Sequence, residues 1–485
     1  MGKAKEVLLI GSGMGSLSAC ALLAAKGFKV KIIEQNWQVG GCTTSYWRKG
    51  YVFEAGATTL VGLGKGMPLQ HVLDQTGIQL KVRELHPPMQ VHWPDGTRLT
   101  RFQDLEEWIK AAEKTFGAKG QRAFWKECYA VSQFVWSNAL KQTSFPPTRI
   151  SDLWKSIKSF SLSQIKYAPH VFVTVETILR KYNLHENKRF VAFVNEQLLI
   201  TAQNKMHEVN FLFGAAALCY TNYPNYYVDG GLGQLVKPFV DFIEAKGGKV
   251  ILRERVEQVS KATQGYEIKT SKNVYHSDYL ISGLPINNTL EIFPEIKPKN
   301  HGKQIMDSKQ LNSAFQLGIG FQPHKEWECL HHQIHLPKPL VGTGSHSIFI
   351  SLNHPKDRSR TDISGEAVMS VSTHLPDPEK NKVDSHSIEQ EIIEVLVAHD
   401  FLKKENIKYM HSSSPHSWIK WTGRKWGFVG GYPQFKKIKP WQMLDARLDQ
   451  QGAYLVGDTA YPGQGIPGVT LSGIIAVEKL LSDHF

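Results

Sequence analysis

Residues 7–41 read VLLIGSGMGSLSACALLAAKGFKVKIIEQNWQVGG. An apolar run enters a glycine turn, small and apolar residues follow at helical length, and a second apolar run ends in an acid. That order predicts strand, helix, strand. The same grammar returns at residues 226–259, YYVDGGLGQLVKPFVDFIEAKGGKVILRERVEQV. Here Asp229-Gly230-Gly231 is a turn, 232–246 an amphipathic helix, Gly247-Gly248 its terminator and 249–259 a strand. YHSDYLISG, residues 275–283, reads as one more buried strand. Residues 455–481, LVGDTAYPGQGIPGVTLSGIIAVEKLL, repeat the pattern once more. A strand stops at Gly457-Asp458, a Pro/Gly loop follows, and a small-residue helix begins near Val469.

Between these α/β stretches the pattern changes. Residues 68–213 are dominated by helices and turns, with helices expected over 104–116 and 118–142 and a break at Pro146-Pro147. Leu153, Ile157 and Phe160 then fall at i, i+4 and i+7, with Trp154 beside them and Lys155 and Lys158 on other faces. Two readings fit: a surface helix packed on the core, or a basic amphipathic helix resting on an anionic membrane. Phe190, Phe193, Leu198, Leu199, Phe211 and Phe213 suit a core or the wall of an apolar cavity. Residues 284–410 favour strands, chiefly 314–321, 347–352 and 367–373, and the charged loop 356–360 is expected at the surface. A short strand at 50–53 precedes a small-residue loop at 56–59. The nucleotide-binding unit is thus expected in three pieces, 1–75, 216–285 and 411–485. They are interrupted by a helical lid (76–215) and a β-rich substrate portion (286–410).

At 485 residues the chain can form two or three domains, or one interleaved pair. Its 41% hydrophobic and 21% charged residues suit a globular protein. No stretch offers about twenty uninterrupted apolar residues, so no transmembrane helix is expected. The start is broken by glycines, so no signal peptide is expected there. Glu6 stands where a Met-Gly myristoylation signal needs Ser or Thr. Five scattered cysteines without a CxxC suit free thiols in a reducing, cytoplasmic setting. The net charge of +13 allows nucleic acid, an anionic membrane surface or simple solubility as its cause. No nucleic-acid-binding motif accompanies it, so no nucleic-acid partner is expected. Cys329, His331, His332 and His335 match no zinc spacing, and neighbours on a strand face opposite sides, so no metal is expected.

The glycines carry the chemistry. Gly11, Gly13 and Gly15 sit where a dinucleotide pyrophosphate is cradled against a helix N-terminus, with Ser16 at the position of a third motif glycine. Glu34, about twenty residues on, stands where a carboxylate accepts hydrogen bonds from ribose. Asp458, at the end of a strand, is placed for a polyol chain, and the helix behind it brings positive potential to a ring that becomes anionic on reduction.

On GSGMGSLSACALLAAKG with Glu34 and Gly40-Gly41, on FEAGATT, on 226–250, on TGRKWGFVGGYPQ (422–434) and on GDTAYPGQGIPGVTLSG, the chain resembles the amine oxidase and carotenoid desaturase superfamily. Within it the chain is most similar to the phytoene desaturase, carotenoid isomerase and retinol saturase group. The resemblance implies a Rossmann-like FAD-binding domain of the GR2 type interleaved with an α+β substrate domain, and a noncovalent FAD. Gly11, Gly13, Gly15 and Ser16 would hold the pyrophosphate, with Gly40 and Gly41 part of the motif, and Glu34 the adenosine ribose. The backbone of Val256 would meet the adenine side. Gly457 and Asp458 would serve the ribityl chain, with Gly468 and Val469 under the flavin. Two positions depart from the family. Cys42 replaces the arginine that usually follows Gly-Gly near the FAD phosphates, and Glu54 stands where relatives often carry Asp. The implied activity is redox chemistry on a long isoprenoid, by desaturation, saturation or isomerisation, with peripheral contact on the inner face of a membrane. An amine or protoporphyrinogen oxidase and a non-catalytic lipid-binding relative of the GDP-dissociation-inhibitor kind are the rivals. His170, His354 and His374 are available as bases, and none identifies itself as catalytic.

Overall fold

The computed structural model describes residues 5–56, 58–159, 162–299, 306–380 and 383–485; Ala57 and Phe160 of the motifs above lie outside them. A five-stranded parallel sheet runs in the order Ala453–Leu455, Tyr279–Ser282, Glu6–Ile10, Lys29–Ile33, Lys249–Ile251. Its strands come from the three expected α/β stretches. The sheet is mixed with helices: Met14–Ala25, Gly233–Ala245 and Ile466–His484 cover it, and their apolar residues close one core with Val7, Leu9, Val30, Ile32 and Ile281. A parallel sheet buried in this way needs apolar strands throughout, as LLI and KII supply.

Two strands expected as single elements are each divided. The stretch 249–259 breaks at Arg253, which adopts φ 56 and donates its N–H to Asn36 O. Lys249–Ile251 stays in the parallel sheet, whereas Val256–Lys261 joins a separate antiparallel sheet with Tyr266–Thr270 and Val274–Ser277. Likewise 275–283 is split at Asp278, where Ser277 Oγ donates to Glu6 O and Tyr279 O. The terminal helix starts at Ile466, with Pro467 in its first turn, rather than near Val469.

A seven-stranded sheet forms the second layer, in the order Ile407–Ser413, Asn312–Phe321, Ala367–Pro376, Ser347–Leu352, His331–His335, Met89–His92, Arg98–Arg101. The last two strands interrupt the stretch expected to be helical. Helices Gln121–Ala139, Lys188–Ala202 and Phe211–Leu218 pack into a core of their own with Trp108, Phe116 and Val91. Loop 356–360 lies at the surface, with Lys356, Arg358 and Ser359 exposed, but two of its charges turn inward. Asp357 and Arg360 are buried, Asp357 accepting from Tyr227 Oη (2.7 Å) and Gly230 N (2.8 Å), and Arg360 pairing with Glu54 at 2.7 Å.

Candidate active site

The strand Glu6–Ile10 turns at Gly11 (φ 82) into a helix whose N-cap, Gly13, offers no side-chain cap. The first N–H to find a main-chain acceptor within the helix is that of Leu17, bonded to Gly13 O at 2.9 Å. The N–H groups before it therefore face outward without intrahelical partners. From the opposite end of the chain, Ala453–Leu455 leads through Gly457 to the helix Ile466–His484, also without a side-chain cap. The two helix starts nearly touch. A Cβ on Gly15 would lie 3.0 Å from Val469 O and 3.1 Å from Gly457 N, so a side chain there would press main-chain atoms apart.

A cavity of about 550 Å³ opens from this crossing. Among the sequence-expected residues, Gly13, Gly15, Ser16, Gly40, Gly457, Asp458, Gly468 and Val469 line it. Gly11, Glu34, Gly41 and Val256 are not among its lining residues. Both Glu34 oxygens are engaged by the glycine turn and the strand end. Oε2 accepts from Ser12 N (2.9 Å) and Ser12 Oγ (2.7 Å), and Oε1 from Asn36 N (2.9 Å).

Arg424 was not singled out by sequence. It lies within the glycine-rich 422–434 segment, and Cys42 in place of the family arginine left phosphate neutralisation to another residue or to the helix alone. Its Nη2 donates to Asp458 Oδ2 at 2.7 Å, while Nη1 is buried without a hydrogen-bond partner. Arg424 stands close enough to Cys42 to oppose, by its charge, the burial that raises the thiol pKa. A free buried guanidinium nitrogen, two uncapped helix starts, an unpartnered Ser16 Oγ and open space beside Gly13 share one wall. Donors converge there with no acceptor of their own. Such a wall fits the anionic pyrophosphate of a dinucleotide.

The cavity continues between the helices and the large sheet. Val135, Trp136, Ile200 and Phe213 form an apolar helical side, and Gln316, Ser347, Ser372 and His374 project from the strands. Of the aromatic residues at 190–213, Phe213 lines the cavity whereas Phe190, Phe193 and Phe211 are packed in the helical core. His374 is the one candidate base at the cavity, and burial lowers its pKa to about 4, which keeps its ring neutral near pH 7. His170 is tied to Glu127 (2.9 Å), and His354 packs against Tyr227. His332 is bonded to His92 (3.1 Å), and among the described residues no three ligating side chains gather for a metal.

The family described as "Flavin containing amine oxidoreductase" matches residues 17–481. The chain belongs to this family. As a flavin-containing amine oxidoreductase it is an FAD-dependent oxidoreductase, and its α/β architecture is that of the family. Over 99% of its length it is 23% identical to prolycopene isomerase 1 of an Oncidium hybrid cultivar, covering 84% of that protein. It is 21% identical to a 4,4'-diapophytoene desaturase of Methylomonas sp, over 100% of this chain and 96% of the other. Among solved structures, putrescine oxidase bound to putrescine superposes with a TM-score of 0.65 at 15% identity, over 99% of both chains.

Proposed function

We propose that this oxidoreductase acts on a long apolar isoprenoid of the carotenoid or retinoid kind. One observation carries the reading. Among the residues lining the cavity, the acidic and basic side chains are Asp458 and Arg424, and these are paired with each other at the crossing of the helix starts. An ammonium substrate entering the far end would meet aromatic and aliphatic side chains and hydroxyls, without a carboxylate. A desolvated cation left unpaired costs several kcal/mol (roughly). A hydrocarbon loses nothing there and gains about 25 cal/mol per Å² buried. Similarity to a prolycopene isomerase, a diapophytoene desaturase and an all-trans-retinol 13,14-reductase of Danio rerio (26% identity over 66% of this chain) supports the same class.

In this reading Gly11, Gly13, Gly15, Ser16, Gly40 and Gly41 admit the pyrophosphate, and Arg424 supplies the charge that Cys42 does not. Glu34 and the Val256 backbone serve the adenosine end. Gly457 and Asp458 hold the ribityl chain, with Gly468 and Val469 against the flavin. Bound there, FAD supplies two-electron chemistry. The apolar helical side keeps water from the reacting carbons, and neutral His374 can accept or donate a hydrogen bond without adding charge.

The substrate is proposed to arrive from a membrane surface. No helix among the described residues is long and apolar enough to cross a bilayer. Yet Ile150, Trp154, Ile165 and Phe172 are 79%, 61%, 61% and 65% exposed, next to Lys155, Lys158 and Lys166. Within this region Gln164 donates to Asn138 Oδ1 (2.8 Å) of helix Gln121–Ala139, which lends Val135 and Trp136 to the cavity. Such a patch suits peripheral docking on anionic lipid.

The purified protein is expected to show a flavin absorption spectrum that anaerobic incubation with a polyene changes and with amines does not. Bleaching by an amine and by no polyene overturns the substrate assignment.

A further inference from the structure

Four buried hydrogen bonds connect the helical core to the cavity through polar side chains alone. Arg101 Nη1 donates to Gln197 Oε1 (2.7 Å), and Gln197 Nε2 to Gln333 Oε1 (2.6 Å). Gln333 Nε2 donates to Ser347 Oγ (3.2 Å), and Ser347 Oγ to Glu196 Oε2 (2.6 Å). Arg101, Gln197 and Gln333 are fully buried, Glu196 is 5% exposed, and of the five only Ser347 lines the cavity.

The direction of this chain follows from chemistry. A guanidinium can only donate, so the Gln197 oxygen must face Arg101 and its NH₂ must face onward. The same holds for Gln333. Ser347 then receives a hydrogen bond from Gln333, and its own proton has one destination, the Glu196 carboxylate. One lone pair of Ser347 Oγ remains, on a residue that lines the cavity. Among the described residues Arg101 has no carboxylate partner, and it lies over Trp108 at 4.3 Å. A buried cation at one end and a buried carboxylate at the other polarise every dipole between them in one sense.

We propose that Ser347 and Glu196 together accept the proton that the substrate loses, with Ser347 touching the substrate and Glu196 acting through it. The assignment rests on the isoprenoid reading above and deepens it for desaturation: with Glu196 ionised, the wiring lets Ser347 receive a proton from the cavity side as it passes its own to Glu196. One substrate C–H gives its hydrogen with the bonding electron pair to the oxidised FAD of the family. The neighbouring C–H gives a proton to Ser347 Oγ as the Ser347 O–H breaks and an O–H forms at Glu196 Oε2. The electron pair left on carbon becomes the new C=C bond. Burial raises the Glu196 pKa, opposed by its bond from Ser347 and by the charges of His346 and Lys205, so the carboxylate is a stronger base than an exposed one.

The test uses the full-length, FAD-loaded protein mixed anaerobically with a polyene. E196Q keeps the shape of the site and is expected to slow flavin reduction by about 10²–10³-fold, with FAD content and polyene binding unchanged. The wild-type rate is expected to rise with pH through a limb above the ordinary glutamate range, and that limb is absent in E196Q. Infrared difference spectra are expected to show a newly protonated carboxyl on reduction of the wild type and none in E196Q. Should E196Q lose FAD, S347A leaves Glu196 in place and carries the same rate expectation. An E196Q protein with wild-type rate and the same pH limb overturns the assignment alone. A wild-type protein that polyenes do not reduce overturns the substrate reading and this assignment with it.

Discussion

Two helices show opposite ways of attaching to the same domain. In Met14–Ala25 every residue but the last is buried, and polar positions such as Ser16 and Ser18 are enclosed with the apolar ones. It has no solvent face, so close approach of backbone to backbone holds it: a Cβ at Gly473 of the terminal helix would lie 2.6 Å from Gly15 O. Helix Ile150–Lys158 is turned the other way. Its buried residues are Asp152 and Ser156, whereas Ile150, Leu153, Trp154 and Ile157 are exposed. Charge anchors it. Arg447 pairs with Asp152 (2.7 Å), Asp483 (2.6 Å) and Asp445 (3.2 Å), all with side chains 4% exposed or less, and Lys479 also pairs with Asp445. An amphipathic period reveals that a helix has two faces. Which face points inward depends on the partners that the rest of the chain supplies.

The comparison can be broken at either helix. The largest effect is expected from G15V, because the added side chain meets main-chain atoms of Val469 and Gly457 that cannot yield; the protein should emerge without FAD, as measured by absorbance after gel filtration. R447M leaves the buried Asp152 carboxylate without a cation, while Lys479 stays on Asp445 and Arg149 on Asp483, and should cost about 3–5 kcal/mol in chemical denaturation, the usual scale for breaking a buried pair. Acid probes the same cluster. Burial would raise the pKa values of Asp152 and Asp483, but their bonds to Arg447 outweigh it and hold both below the ordinary value. A depressed carboxylate pKa adds stability that is complete above the unfolded value, about 3.9, and is lost as pH falls through the folded one. Denaturation midpoints should therefore stay insensitive to these two groups down to about pH 4, fall below it, and fall less steeply in D152N.

A smaller change is expected at the cradle from R424M. Loss of one charge-assisted contact should weaken FAD binding by about 10–100-fold, or roughly 1.5–3 kcal/mol. The double variant C42R/R424M should recover part of it, with fluorescence titration of the apoprotein as the readout. The smallest effect on stability belongs to W154S/I157S, within about 0.5 kcal/mol as for other exposed positions. The same variant should lose co-sedimentation with anionic vesicles. A stability loss of several kcal/mol would mean that this face is packed after all.

The helices and turns that depend on neighbours in sequence were legible. Asp104 caps Leu105–Phe116, and Gly247 follows Gly233–Ala245, as local rules require. Both helix starts of the cradle were readable because small residues crowd there without a local reason. Most of the misreadings share a cause. Arg360 looked like a surface charge because its partner, Glu54, is 306 positions away. Strand 249–259 looked continuous because nothing local marks Arg253 as the left-handed corner between two sheets. Strands Met89–His92 and Arg98–Arg101 form a local hairpin around Asp95-Gly96, a turn signal overshadowed by the helical pattern on either side, and the first also pairs with His331–His335, far downstream. Arg424 was within a noticed motif, yet a lone arginine gains meaning only when Cys42 and Asp458 stand beside it.

The crossing of the first and last helices also sets a timetable for biosynthesis. Gly15 is made more than 400 residues before Gly457 and Val469, the groups it rests against. At about 5–20 residues per second the early strand–turn–helix waits for tens of seconds before its counterpart exists. During that interval the central strand Glu6–Ile10 has no Tyr279–Ser282 beside it and the helix lacks its neighbour. At the proposed site, cofactor capture thus waits until Gly457 and Val469 have been made and have closed on Gly15.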